Sequence, residues 1–328
     1  MSDMKILMES ACIVCTKDRP DEIRVLLMML SKMAHLPRVV VIVDSSETDL
    51  TELEVCRVSS TFPTELKFIR SLPGAPHQKN IGLEYLASKF NPDELISVSL
   101  IDDDVELPSE YFENVQKLIS LHPSAACIGG FDVLNPVPRG GLFRHLAGLA
   151  GGPEKQGRIL KSGIALPPMP HEDLQPTVWV PGFTQNFPWH LARHQRFDGR
   201  VRIYGDEVEF QLRLSQFGQI FVAKVLGVKH LSSVKEKDNY RDQQAYMDAF
   251  RWSLAKRYPQ TVSAPMVIFT TVCLALGELF RVIFLFKRVS WKGFMGHLDF
   301  LHRLSTGKPT QQYVTHYGSG PFTDLQRT

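Results

Sequence analysis

The sequence predicts an α/β domain with a mainly parallel sheet flanked by helices, followed by a helical C-terminal region. Three observations predict it. Apolar strand-like runs alternate with segments of helical period through residue 135. The runs are continuous rather than alternating, as in strands buried on both faces. Beyond Asn239 only helical patterns remain.

Cys12 to Thr16 reads as the first strand. Asp18 is placed to cap the following helix and Pro20 suits its first turn. Ile23, Leu26, Leu27 and Leu30 form that helix's apolar stripe. Arg38 to Val43 is a second strand, ending at Asp44, and Phe68-Ile69 a shorter third. A turn at Pro73-Gly74 precedes a helix from about Gln78. Leu95 to Ile101 ends abruptly in Asp102, Asp103 and Asp104. Ser109 is placed to cap a helix whose Phe112, Val115, Leu118 and Ile119 face inward, and Cys127 to Phe131 follows as a strand.

From Pro136 to Pro176 glycine and proline dominate and periodicity fades, which predicts a flexible loop. Pattern returns at Val178. A helix over Asp206 to Phe217, ended by Gly218, leads through short strands at Ile220 to Ala223 and Val225 to Val228 to His230. The expected division is therefore a catalytic unit over 1–238 and a helical region over 239–328. Within the former, a nucleotide-binding part ends near 135, the loop covers 136–176 and an acceptor part covers 177–238.

Lys and Arg exceed Asp and Glu by only two, so no electrostatic footprint for nucleic acid is present. Five scattered cysteines argue against a disulfide framework and for a reducing compartment. Cys12 and Cys15 have redox-motif spacing, but residues three apart on a strand point to opposite faces. No long apolar stretch follows a basic start, so no secretory signal is expected.

Three adjacent carboxylates repel one another unless something positive lies between them. Strand alternation places Asp102 and Asp104 on one face and Asp103 on the other. Two oxygen donors aimed at one point suit a hard divalent cation, Mn²⁺ or Mg²⁺. The carboxyl ends of strands are where an open α/β sheet binds ligands. An acidic turn leading into the next helix is the plainer reading, but Asp102 lies too far upstream to act as a cap.

With the triplet placed, the chain resembles the inverting family-2 nucleotide-sugar glycosyltransferases, which have the GT-A fold. The likeness runs from about Ala11 to Pro259. Ile13-Val14-Cys15-Thr16-Lys17-Asp18-Arg19-Pro20 is similar to the family's first strand and nucleotide-binding loop, and Val41-Ile42-Val43-Asp44 to its second strand, whose aspartate contacts the base or ribose. Gln78-Lys79-Asn80-Ile81-Gly82 resembles a donor-binding segment, with Lys79 where a basic residue is usual. Ile101-Asp102-Asp103-Asp104-Val105 matches the metal motif, which implies donor contacts from Asp102 and Asp103 and metal ligation by Asp104 with Asp102. His230 corresponds to an additional metal-binding histidine of some members. Tyr204-Gly205-Asp206-Glu207 resembles the acidic motif that supplies the catalytic base. Its order departs from the commoner glutamate-aspartate, so the register favours Glu207 while Asp206 stays a competitor.

The resemblance implies a nucleotide-diphosphate sugar donor, a saccharide or lipid-linked acceptor, and a place in bacterial surface polysaccharide or cell-envelope glycan synthesis. Trp179, Phe183 and Trp189 offer aromatic faces for acceptor sugars, although core packing explains aromatics equally well. The stretch from Arg139 to Gly163 suits a lid over the donor.

Ala264 to Phe286 is long enough to span a bilayer. Glu278 and Arg281 interrupt it, each costing about 2.5–3.5 kcal/mol at a helix centre. Trp291, Phe294, Leu298 and Leu301 recur at helical spacing among Lys287, Arg288, Lys292 and Arg303. This mixture predicts peripheral attachment to the cytoplasmic face of the membrane without a full span. A helical hairpin that packs on the domain or makes a homodimer is the competing expectation. Two rivals stand for function: a haloacid-dehalogenase-type sugar phosphatase, whose nucleophile motif Asp102, Asp104 and Val105 also fit, and a catalytically silent membrane-bound scaffold.

Overall fold

The first strand, β1 (Glu9–Thr16), is buried at almost every position because it lies inside a sheet covered on both sides. In the computed structural model residues 9–135, 141–201, 205–231 and 240–307 are described; Arg139, Tyr204 and Asn239, used above, lie outside the described residues. After β1 come α1 (Pro20–Leu30), β2 (Val39–Asp44), α2 (Leu50–Ser59), β3 (Glu65–Arg70), α3 (Ala75–Lys89) and β4 (Leu95–Asp102). Next are β5 (Val105–Glu106), α4 (Tyr111–Leu121), β6 (Ala125–Gly129), α5 (Leu142–Leu146), β7 (Leu174–Thr177), β8 (Thr184–Pro188) and α6 (Trp189–Ala192). The chain continues with α7 (Asp206–Leu214), β9 (Gln219–Ala223), β10 (Lys229–His230), α8 (Tyr240–Arg257), α9 (Ala264–Leu285) and α10 (Arg288–Ser305).

Eight strands form one sheet in the order β3-β2-β1-β4-β8-β6-β9-β7. The four from β3 to β4 are parallel, β8 runs against both its neighbours, and β7 runs against β9. The expected mainly parallel α/β architecture is present, with a reversed strand inserted beside β4.

Alternation along β1 sends Ala11 and Ile13 to one core and Cys12 and Val14 to the other. Leu83 and Leu86 of α3 fill the first, with Phe187, Trp189 and Phe210. Ile23, Leu26, Leu27 and Leu30 of α1 fill the second, with Tyr111, Phe112 and Val115 of α4. Each such side chain taken from water contributes about 1.5–3 kcal/mol. Gly82 lets α3 close on the sheet, since a Cβ there would meet Ile13 Cγ2 at 2.7 Å.

Several local expectations are corrected. Asp18 does not cap α1: Arg19 holds that position, and Asp18 sits at φ +53° with its N–H donating to Ser46 Oγ. Ser109 caps nothing either, because α4 starts at Tyr111 after Glu110. Helix α3 begins at Ala75, ahead of Gln78, and α7 ends at Leu214. Gly218 is needed for close approach rather than a left-handed turn, because a Cβ would meet the Ser124 carbonyl oxygen at 2.1 Å. Lys224–Leu226 is a tight 3-10 turn, not a strand. Within 141–176, apart from α5, a 3-10 turn at Pro153–Lys155 and the start of β7, the backbone is irregular but docked: Ser162 donates to the Gly148 carbonyl and Thr270 to that of Ala147.

The helices α8, α9 and α10 pack on one another around a buried polar cluster. Asp248 of α8 accepts from Arg251 and lies 2.6 Å from His297 Nδ1 of α10, and Arg251 also donates to Thr271 of α9.

Candidate active site

The carboxyl ends of β1, β2 and β4 meet where the parallel half of the sheet opens. Register places Cys15 beside Asp102 and Thr16 beside Asp44. Gln78, fully inside α3, donates its Nε2 to the carbonyls of Thr16 and Val43, tying the ends of β1 and β2 to that helix.

Strand β4 ends at Asp102, and Asp103 and Asp104 form the turn into β5, so it is this turn rather than strand alternation that aims them. Asp103 is buried and accepts from Thr16 Oγ1 at 2.6 Å and Arg19 Nη1 at 2.7 Å. The same Arg19 nitrogen reaches Asp104 Oδ2 at 2.9 Å. Arg19 thus supplies part of the positive charge the triplet needs, a role not read from the sequence.

Asp102, Asp104 and His230 converge, with one ligand atom from each lying within 4.8 Å of the others. His230 comes from a distant segment. A two-stranded antiparallel ribbon pairs β10 with β5, setting His230 opposite Val105 and letting the Leu231 N–H donate to the Asp104 carbonyl. His230 Nε2 lies 3.2 Å from Asp104 Oδ1 and 3.9 Å from Asp102 Oδ2. Asp104 Oδ1 is buried, and it meets His230 Nε2 as an ion-pair contact rather than a well-aligned hydrogen bond. A buried anionic oxygen beside a second carboxylate and an imidazole is a donor set that fits Mn²⁺ or Mg²⁺.

The charges are mutually tuned. Burial, together with the charges of Asp104 and Asp206, lifts Asp102 above the usual carboxylate range against the pull of Lys79 and His230. Burial pushes Asp103 up to about 6 although Thr16 and Arg19 oppose it. For Asp104 burial is outweighed by His230 and Arg19, so its carboxyl is held low. Burial would depress His230, but Asp104 and Asp102 raise it. Beneath them the Cys15 thiol is pushed up to about 12, chiefly by burial.

The second acidic set stands at the start of α7. Gly205 turns the chain at φ +92°, and a Cβ there would strike the Phe250 ring at 2.3 Å. Asp206 is buried and accepts from Lys79 Nζ at 2.6 Å, while Lys79 also lies 4.9 Å over the Phe197 ring. Burial would raise Asp206, but Lys79 and Glu207 hold it below its ordinary value. Glu207 is half-buried, accepts from the Gly205 N–H at 3.1 Å, and is pushed up to about 8 by burial and by the Asp206 charge. Lys79 interacts electrostatically with Asp102, Asp206 and Glu207, so the two acidic sets share one electrostatic neighbourhood.

Other expected residues are placed differently. Asp44 is fully buried, accepting from Ser46 and from Arg70 Nη1. Lys17 and Asp18 form an exposed rim, 3.8 Å apart. Asn80 is corrected as a donor-facing residue: its amide donates to the Phe197 carbonyl and accepts the Phe197 N–H, so both ends are engaged. Trp189 is also corrected. The reversed direction of β8 carries it to the amino end of β4, where it is fully buried and bonded to the Asn91 carbonyl. Trp179 is core as well, donating to the Leu166 carbonyl. The same reversal leaves Phe183, just before β8, at the site end, where it stacks on His230 with centroids 4.5 Å apart.

No protein-family profile matches the chain, and no curated protein does. Solved structures do match in fold. A mannosyltransferase from Pyrobaculum calidifontis, determined with GDP-Man and Mn²⁺, superposes with a TM-score of 0.55 at 16% identity, over 92% of this chain and 86% of that one. TarS of S. aureus, residues 1–349, gives a TM-score of 0.48 at 14% identity over 92% of each chain. The likeness is one of fold, a mainly parallel sheet flanked by helices, as the sequence led us to expect.

Proposed function

We propose that the chain is a metal-dependent, inverting glycosyltransferase that uses a nucleotide-diphosphate sugar. The observation that carries this reading is the convergence of Asp102, Asp104 and His230, with Lys79 lying in the electrostatic reach of both Asp102 and Glu207. The likeness to a mannosyltransferase structure holding GDP-Man and Mn²⁺ supports it. Asp102, Asp104 and His230 would hold the ion, Mn²⁺ or Mg²⁺; the chemistry it supplies is charge neutralisation on the leaving diphosphate. Arg19 and Thr16 fix Asp103 and so the aim of its neighbours. Lys17, Asp18 and Asp44 belong to the donor side, the last through Ser46 and Arg70.

Of the two candidate bases, Glu207 is favoured. Asp206 is tied to Lys79 and has little affinity for a proton, whereas Glu207 sits among influences that make its carboxylate basic. Glu207 takes the proton of the acceptor hydroxyl as that oxygen attacks the anomeric carbon. The bond from that carbon to the phosphate oxygen breaks on the opposite face, and its electron pair leaves with the nucleoside diphosphate. Phe183, beside the metal ligands, is the aromatic we retain for the acceptor. We assign the transferase to residues 1–238 and the remainder to a helical region. A lipid-linked or saccharide acceptor of cell-envelope glycan synthesis agrees with this placement.

The test is a thermal-shift screen of nucleotide sugars with Mn²⁺ and Mg²⁺, followed by turnover of the best binder. Stabilisation by one nucleoside diphosphate with metal, absent in Asp104→Ala, is the expected result. Phosphate release from sugar phosphates without donor turnover would point instead to the phosphatase.

A further inference from the structure

Helix α9 is inside-out for a helix of a water-exposed domain. Its buried positions include Thr270, Thr271 and Glu278, which bond to the Ala147 carbonyl, to Arg251, and to Tyr240 and Arg281. Its large apolar side chains Phe269, Val272, Leu276, Phe280 and Ile283 are exposed at helical spacing along one face. Normally the apolar stripe of a helix is the buried one. At the C-terminal end the exposed surface widens through Phe284 and Phe286, which are 62% and 86% exposed.

That end also carries a cavity of about 400 Å³ lined by Tyr240, Glu278, Arg281, Lys287, Val289 and Ser290. The Tyr240 hydroxyl at 3.1 Å and Arg281 Nη1 at 2.8 Å both donate to Glu278 Oε1. Its Oε2 is buried with no partner. Lys287 has no ion-pair partner among the described residues. Two cations and an acceptor lacking a donor thus meet beside exposed aromatic rings.

We propose that this face rests on a bilayer leaflet and that the cavity between α9 and α10 takes the phosphate headgroup of an anionic, hydroxyl-bearing lipid. Arg281 and Lys287 hold the phosphate, Glu278 Oε2 accepts from a headgroup hydroxyl, and Phe280, Ile283 and Phe284 enter the acyl boundary. Helix α9 lies in the interface rather than crossing it, because α8 and α10 cover its polar face. A second copy of the chain could cover the apolar strip, but it would leave the paired cations and the orphaned oxygen unexplained. None of these residues belongs to the site described above, so the inference stands apart from the transferase reading.

The experiment is co-sedimentation of the full chain with vesicles of phosphatidylcholine alone and of phosphatidylcholine containing phosphatidylglycerol. Wild type should bind the anionic vesicles, and Arg281→Gln and Lys287→Gln should each weaken this about fivefold. Phe280→Ser with Phe284→Ser should weaken binding to both vesicle types, with the unfolding midpoint of every variant kept near wild type. Equal binding to both vesicle types by wild type would overturn the proposal, as would binding unaffected by losing the two cations. So would saturation of the cavity by free glycerol phosphate without vesicle binding, or a dimer dissolved by the two Phe replacements in a chain that ignores vesicles.

Discussion

Asp206 and Glu207 are neighbours in the chain, yet Lys79 bonds only the first of them. A base works when deprotonated, so kcat/KM should rise with pH through an apparent pKa near that of Glu207, about 8, rather than in the ordinary carboxylate range. Glu207→Gln should abolish that limb and lower turnover by about 10²–10⁴-fold; full turnover in this variant would sink its assignment as base. Removing a proposed metal donor tests a different part of the site. Asp104→Ala and His230→Ala should show no stabilisation by Mn²⁺ in a thermal-shift assay and lose turnover by about a hundredfold or more. The carboxylates were legible as a triplet because three adjacent aspartates closing an apolar run are visible in the sequence alone, although a turn rather than strand alternation aims the last two. Arg19 as their shared partner, and Lys79 as that of Asp206, were not, because contacts across 84 and 127 residues leave no periodic mark.

At the scale of elements, direction decides what a residue can reach. The strand β8 was expected only as a return of regular pattern, and nothing in its residues says that it runs against β4. That one reversal sends Trp189 into the core at the far end and leaves Phe183 on His230. The ribbon of β5 and β10 was equally hidden, since two residues per strand carry no period. Helix α7, by contrast, announced itself by its acidic start and apolar face. Its entry depends on Gly205, where a side chain would be doubly opposed by φ +92° and the Phe250 ring. Gly205→Ala should cost about 1–3 kcal/mol and shift the acidic pair, read as a lower unfolding midpoint and reduced turnover. An unchanged midpoint would show that Phe250 yields freely.

Across the whole molecule, the two cores on either side of the sheet follow from continuous apolar strands, and that much was readable beforehand. The C-terminal helices were found as helices, but their mode of packing was not, because it rests on buried polar groups. Asp248, Arg251, Thr271 and His297 join all three helices. Asp248→Asn leaves the Arg251 guanidinium buried without its counter-charge and should destabilise the fold by about 3–5 kcal/mol, seen as a lower urea midpoint at unchanged slope. A variant as stable as wild type would mean that water or a neighbour replaces the aspartate.

The two thiols of β1 point into separate cores, and burial pushes both up, so neither forms the thiolate that alkylating reagents attack. Cys127 is shielded in the same way, whereas Cys56, near the C-terminal end of α2, is exposed. That helix runs back from the carboxyl end of β2, so a maleimide dye attached at Cys56 reports from the far end of the helix. Labelling at Cys56 alone needs replacement only of the partly buried Cys273 of α9, which leaves a fluorophore or surface tether remote from the cleft and both cysteines of the first strand in place.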